Sequence, residues 1–278
     1  MTRIKIYLLA LAFFFAYHPV IYDLRDAVFT NELAHHTPLV LLLTGYLIYA
    51  KREEIRKILS SPLKPDQGAW MFAGLGVNLL GLGAGVYYLA QLSIPLTIFG
   101  ALRYVVGQEL ARFLAPSLLF LILAFPLPGK VYVSLVFPLK LFVTHISGVM
   151  LSLLGFPVRV HGNIIELPSM TVGVEDACSG LSSLMAMTTL AVFCGLSFLK
   201  TWKSRAIVMV VVLPAIMLAN VFRVTLSTMM AWKWGVWMLE GTFHLLWGLL
   251  VFVVAVILLI LAVMILKRRE RRGFFGER

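Results

Sequence analysis

The chain has 278 residues, of which 60% are hydrophobic and 13% are charged, and its mean hydropathy is +0.93. Soluble domains carry about 25% charged residues, so this composition excludes a water-soluble globular enzyme and a disordered chain. The net charge of +11 lies in short basic clusters between apolar runs, which is typical of membrane topology signals and not of nucleic-acid binding.

Eight apolar runs are candidates for membrane-spanning helices. The sequence therefore predicts an all-α, polytopic membrane helix bundle of about eight transmembrane helices, each needing about 20 apolar residues. We expect a single integral-membrane domain over residues 1–278, in which 267–278 form a basic cytoplasmic tail. The runs are Ile4–Ile21, Thr37–Ala50, Ala69–Ala90, Ile94–Val106, Phe113–Leu127, Cys178–Leu199, Ala206–Ala231 and Phe243–Leu266.

Glycines recur within the third run. Gly74, Gly81 and Gly85 are spaced for one face of a helix, and no strand precedes them as a nucleotide-binding loop requires. Their spacing predicts close helix packing.

The basic clusters predict the orientation in the membrane. If the spans alternate, these clusters fall on one side, which is the cytoplasm by the positive-inside rule. Both chain termini are then cytoplasmic. The clusters follow the second, sixth and last runs: Lys51, Arg52, Arg56, Lys57 and Lys64; Lys200, Lys203 and Arg205; and Lys267, Arg268, Arg269, Arg271 and Arg272.

Residues 130–176 lie between the fifth and sixth runs. A single crossing by Lys130–Gly155 would reverse the charge bias of everything after it, so we expect an interfacial or re-entrant helix there. Phe156–Asp176 alternates polar and apolar residues and is rich in β-branched side chains, which predicts a small extended element on the extracellular face.

The segment Glu175–Gly180 ends this polar stretch and opens the sixth run. Glu175 or Asp176 is suited to cap the helix, and Cys178 would lie near unsatisfied backbone N–H groups and the positive end of the helix dipole. Both features favour a thiolate, although the neighbouring carboxylates oppose it, so a nearby positive charge is needed. The alternative is that Cys178 is simply a small residue at a helix start.

Two later spans carry further polar candidates. Arg223 lies within an apolar run, about 12 Å below the outer surface if the span ends near Ala231, and Asn220 shares its helix face. Charges at such depth are costly and mark functional sites by default, with a structural ion pair as the alternative. His244 opens the last span, and imidazole is suited to pass a proton near neutral pH. An interface role is the alternative for His244.

The ordered residues Ala177–Gly180, Asn220–Arg223 and His244 resemble the exosortase/archaeosortase family of transmembrane cysteine protein-sorting enzymes. The resemblance covers roughly residues 156–250. It implies a catalytic set of Cys178, Arg223 and His244. We expect support from Asn220, Ser179, Glu175 and Asp176, and no metal or cofactor.

The resemblance also implies the substrate class. These are secreted proteins with a C-terminal signal composed of a short motif, one transmembrane helix and a basic cluster. A thiol peptidase or transpeptidase would cleave at the motif at the extracellular face and transfer the protein to a membrane lipid or another acceptor. Nucleic acid is not an expected partner.

Two other classes of function remain as alternatives. A small-molecule or lipid transporter would use Arg223 as an intramembrane anion site and would not need Cys178. A scaffold for the export of surface polymers would need neither side chain beyond folding.

Overall fold

The computed structural model describes residues 2–31, 34–62, 64–174, 181–239 and 241–273. The chain is mostly helical, with ten α-helices and three short strands within those ranges, as expected for a helix bundle. It divides into two compact units, Met1–Pro128 and Gly129–Arg278, and each is described by itself.

Over its described residues, the first unit consists of helices joined by loops, and a 3-10 turn, Leu121–Ala124, follows its last α-helix. Its helices are α1 (Thr2–Thr30), α2 (Thr37–Ala50), α3 (Arg52–Ser60), α4 (Ala69–Gly83), α5 (Tyr87–Val105) and α6 (Gln108–Phe120).

Buried polar contacts tie α1 to its neighbours in this unit. The Tyr17 hydroxyl lies 2.8 Å from Ser93 Oγ and 2.6 Å from Thr97 Oγ1, both on α5. On α4, the side-chain amide of Asn78 donates to the carbonyl of Ala16 at 2.9 Å. Helices in lipid gain little from burying apolar surface, so such hydrogen bonds help to specify which helices meet.

Two of the three recurrent glycines lie at close helix contacts, as predicted. A Cβ at Gly74 would lie 2.8 Å from the backbone nitrogen of Thr97, and one at Gly81 would lie 2.6 Å from that of Ala90. The prediction is wrong for Gly85, which has a φ of +68° in the turn between α4 and α5 and where an added Cβ would meet no atom within 4 Å. This turn also corrects the predicted run Ala69–Ala90, whose last four residues begin α5.

A matched pair of substitutions in α4 tests the packing role of Gly74. Gly74→Ala forces a methyl group into the backbone of α5, so we expect the free energy of unfolding to fall by about 1–3 kcal/mol. Gly76 has open space around it, and Gly76→Ala should leave stability unchanged or raise it by about 0.5–1 kcal/mol. Thermal unfolding of the purified protein in detergent measures both. Equal effects of the two substitutions would contradict the packing role.

The second unit combines long helices with a small sheet. Its elements are α7 (Gly129–Leu153), β1 (Arg159–His161), β2 (Ile164–Leu167), β3 (Met170–Gly173), α8 (Leu181–Phe198), α9 (Trp202–Trp234), a 3-10 turn (Val236–Leu239) and α10 (Gly241–Arg271).

The three strands form an antiparallel meander in the order β1-β2-β3, which confirms the extended element predicted for this stretch. Ile165 and Val172 are paired across β2 and β3 and point into a buried cluster. Val143 of α7 and Val221 of α9 belong to the same cluster. The sheet is thus fixed to one face of α9.

Helix α7 differs from the segment expected at Lys130–Gly155. It is one continuous helix of 25 residues with Pro138 inside it, so it does not turn back as a re-entrant segment does. Its length and apolar composition meet the requirement for a membrane crossing.

Four helices in the described ranges are long and apolar enough to span a membrane, namely residues 6–30 of α1 and the helices α7, α9 and α10. Shorter apolar helices include α2, α4 and residues 183–198 of α8. These helices identify a multi-pass membrane protein, while the total of about eight spans stays a prediction.

Candidate active site

The start of α8, the second half of α9 and the start of α10 meet around a small cavity. Its volume of about 20 Å³ is enough for one water molecule. Side chains from all three helices line it, among them Ser183 and Met187 of α8, Asn220 and Arg223 of α9, and Val251 of α10.

Helix α9 positions Asn220 and Arg223 by presenting two different faces. Val221 and Val224 pack into the cluster beneath the sheet, whereas Ile216 packs with α8 and α10. Asn220 and Arg223, three residues apart, line the cavity together, as predicted from their spacing. The Asn220 side chain is 4% exposed and that of Arg223 is half-buried.

Helix α9 is longer than the apolar run predicted for this part of the chain. The helix continues to Trp234, beyond the predicted end at Ala231. Arg223 therefore lies about 16 Å along the helix axis from the end of α9.

Gly248 allows α10 to approach the guanidinium of Arg223. A Cβ at Gly248 would lie 3.5 Å from Arg223 Nη1, so the guanidinium lies against the backbone of α10. His244 is four residues earlier on the same helix, so it shares a face with Gly248 one turn closer to the start of α10. The backbone of His244 thus lies one turn before Gly248 in α10, while its side-chain atoms lie outside the described part of the structure.

Cys178, Ser179, Glu175 and Asp176 lie outside the described residues. Val174 is 1% exposed, and Asn163 contacts it twice: the Val174 N–H donates to the Asn163 carbonyl at 2.8 Å, and the Asn163 side-chain amide donates to the Val174 carbonyl at 3.1 Å. On the other side, α8 begins at Leu181.

The opposite end of these three helices carries a cluster of charged and capping groups. Glu270 of α10 accepts the backbone N–H groups of Lys200 at 3.0 Å and Thr201 at 2.9 Å, just before α9 begins. Arg205 donates from Nη2 to the carbonyl of Leu199 at 2.9 Å, just after α8 ends. These basic residues therefore lie at the end of the three helices that is farther from the cavity.

Sequence reasoning missed Ser183 and Gly248 as site residues. Ser183 follows Cys178 by five positions, and Gly248 follows His244 by one helical turn. The second spacing is a usable signal, because a residue without a side chain one turn from a polar residue leaves room for a group from another helix.

Substitutions at Gly248 test its contact with Arg223. Gly248→Leu should lower the free energy of unfolding by about 1–3 kcal/mol, because the new side chain would occupy the volume of the guanidinium. Gly248→Ala places its Cβ at an ordinary contact distance, so it should be tolerated. Thermal unfolding measures both.

A double-mutant cycle separates this contact from a general packing effect. If the guanidinium is the group displaced, the destabilisation by Gly248→Leu should shrink in an Arg223→Ala background. An undiminished effect in that background would show that other atoms oppose the leucine.

Comparison with known proteins identifies a family whose model covers the residues that line the cavity. The chain has no match among curated proteins or among solved structures. The family model described as transmembrane exosortase matches residues 28–261, which include α8, α9 and the start of α10. Since this match covers most of the chain, the protein belongs to the transmembrane exosortase family.

Proposed function

We propose that the protein is a thiol transpeptidase that cleaves the C-terminal sorting signals of secreted proteins. The exosortase family acts on secreted proteins that carry such signals, and membership of it makes this chain a membrane-embedded sorting enzyme. The observation that carries the finer proposal is the cavity shared by α8, α9 and α10, because it brings Arg223 together with the helices that follow Cys178 and contain His244.

The short stretch of chain between Cys178 and α8 supports a role for Cys178 at this cavity. Cys178 lies three positions before Leu181, where α8 begins, and three Cα-to-Cα steps span at most about 11 Å. Ser183, in the first turn of α8, lines the cavity. The proposed nucleophile is therefore tethered close to the cavity that contains Arg223.

The first step of the proposed reaction is acylation of the enzyme. The Cys178 thiolate attacks the scissile carbonyl, a C–S bond forms and the C–N bond breaks. His244 as imidazolium gives its proton to the leaving amine, so the membrane-anchored C-terminal fragment departs neutral at its new N-terminus.

The second step releases the secreted protein from the enzyme. Neutral His244 takes a proton from the incoming acceptor, which attacks the thioester carbonyl, and the Cys178 thiolate leaves. A membrane lipid headgroup with an amine or hydroxyl group, or another surface nucleophile, would serve as acceptor. Water in that place would give hydrolysis.

Arg223 is proposed to stabilise negative charge in both steps. Its guanidinium lies against the α10 backbone in a partly buried cavity lined mostly by apolar side chains. A fixed cation in such low-dielectric surroundings stabilises a thiolate or a developing oxyanion more strongly than it would in water. Asn220, which lines the same cavity, is proposed to orient one of these groups.

The charge distribution supports an extracellular location for the reaction. Lys200, Arg205 and the basic end of α10 lie at the end of the three helices away from the cavity. If that basic end is cytoplasmic by the positive-inside rule, the cavity lies in the outer half of the membrane. The C-terminus, which follows the basic end of α10, is then cytoplasmic, and we propose the same side for the N-terminus from the alternation of the basic clusters.

Co-expression with a tailed secreted substrate tests the function. Wild type should remove the tail, and Cys178→Ser should abolish removal because the nucleophile is lost. Arg223→Ala should slow it by about 10²–10³-fold, as expected for loss of an oxyanion-stabilising group. Immunoblots for the intact and shortened substrate measure the rates.

The chain offers its own cysteine control. Cys194 lies in the middle of α8 and packs with the hydrophobic core of the unit, so Cys194→Ser should retain tail removal. Full activity of Cys178→Ser with loss in Arg223→Ala would instead favour the transporter alternative. Full activity of both variants would favour the scaffold.

A further inference from the structure

A long apolar groove runs between α9 and α10, which we call the α9/α10 groove. Its volume is about 490 Å³, and it extends from Val208 to Leu226 on α9 and from Trp247 to Ala262 on α10. These stretches are about 27 Å and about 22 Å long at 1.5 Å per residue. The groove is therefore nearly as long as the hydrocarbon layer is thick, which is about 30 Å.

One end of the groove reaches the candidate active site. Ile216 and Ala219 of α9 and Val251 of α10 line both the groove and the small cavity that contains Arg223. An occupant of the groove would thus end beside the proposed catalytic residues.

The wall of the α9/α10 groove is apolar almost throughout. Trp247 lines the groove at the end near Arg223, and its indole nitrogen is buried away from the groove surface. Such a wall suits an apolar occupant, because an uncompensated polar group there would be costly.

Small residues on both helices fit the groove to another helix. Ala215 and Ala219 are one turn apart on α9, and Ala255 and Ala262 are two turns apart on α10, all four lining the groove. Small side chains at such spacings let helix backbones approach closely in a membrane. A flexible acyl chain has no requirement for this repeat.

We propose that the α9/α10 groove receives the transmembrane helix of the substrate's sorting signal. This rests on the proposed function, in which the cleaved motif directly precedes that helix. The substrate helix runs parallel to α10, from the Trp247 end towards the Ala262 end. Its first residues then lie at the Arg223 cavity, where the motif must be presented.

Two neighbouring substitutions on α10 test the groove far from the cavity. Ala262 is about 21 Å along the helix from Gly248 at 1.5 Å per residue. Ala262→Trp would fill the far end of the groove, so tail removal should slow at least tenfold. Leu261 is 48% exposed and does not line the groove, so the Leu261→Trp variant should remove the substrate tail at the wild-type rate.

The possible results distinguish a failure of the groove proposal from a failure of the proposed function. If wild type cleaves the substrate and the two tryptophan variants cleave it at equal rates, the groove proposal is overturned and the proposed function still stands. Thermal unfolding of both variants identifies a loss of activity that is due to misfolding.

Photo-crosslinking tests occupancy without cleavage. A benzophenone amino acid at Leu258, which lines the groove, should capture a tailed substrate in a Cys178→Ser background. The same probe at Ile257, which is 50% exposed and off the groove, should not capture it, and neither should a substrate without its tail. Capture of membrane lipid alone at Leu258, with no substrate, would refute the proposal even if wild type processes the substrate.

Discussion

The contact of Arg223 with the backbone of α10 is the constraint around which the second unit is arranged. Placing a guanidinium in the middle of a membrane helix costs about 2.5–3.5 kcal/mol on insertion scales, so its surroundings must offset that cost. Gly248 lets α10 approach, Asn220 adds a buried amide on the same face, and the opposite face of α9 is held by the sheet. A larger residue at Gly248 would push apart the helices that form the cavity.

Helices α8, α9 and α10 have chemically different ends. At the end away from the cavity, Glu270 accepts the backbone N–H groups of Lys200 and Thr201 between α8 and α9, and Arg205 donates to the carbonyl of Gly195 in the last turn of α8. Unsatisfied groups at helix ends are costly in a membrane, and these contacts satisfy them with side chains of neighbouring helices. That end is thereby held together by polar contacts, whereas the cavity beside Arg223 has room for about one water molecule.

Local residue chemistry made part of this structure predictable. A charge within an apolar run, its spacing from Asn220, and the alternation before the sixth run are short-range patterns, and they predicted the Asn220–Arg223 face and the sheet. The break at Gly85, the continuity of α7 and the role of Gly248 depend on which helices pack together. Hydropathy reports how apolar a segment is and not what lies beside it, so it did not reveal them.

The double contact between Asn163 and Val174 has a mechanical consequence. Both backbone groups of Val174 are held by one residue of the hairpin turn, and β2 and β3 are in turn seated on α7 and α9. Leu181, the first residue of α8, lies seven positions after Val174. The chain therefore runs on towards α8 from a point that is fixed on the sheet, and a substitution that loosened the packing of β2 and β3 on α7 and α9 would move that point.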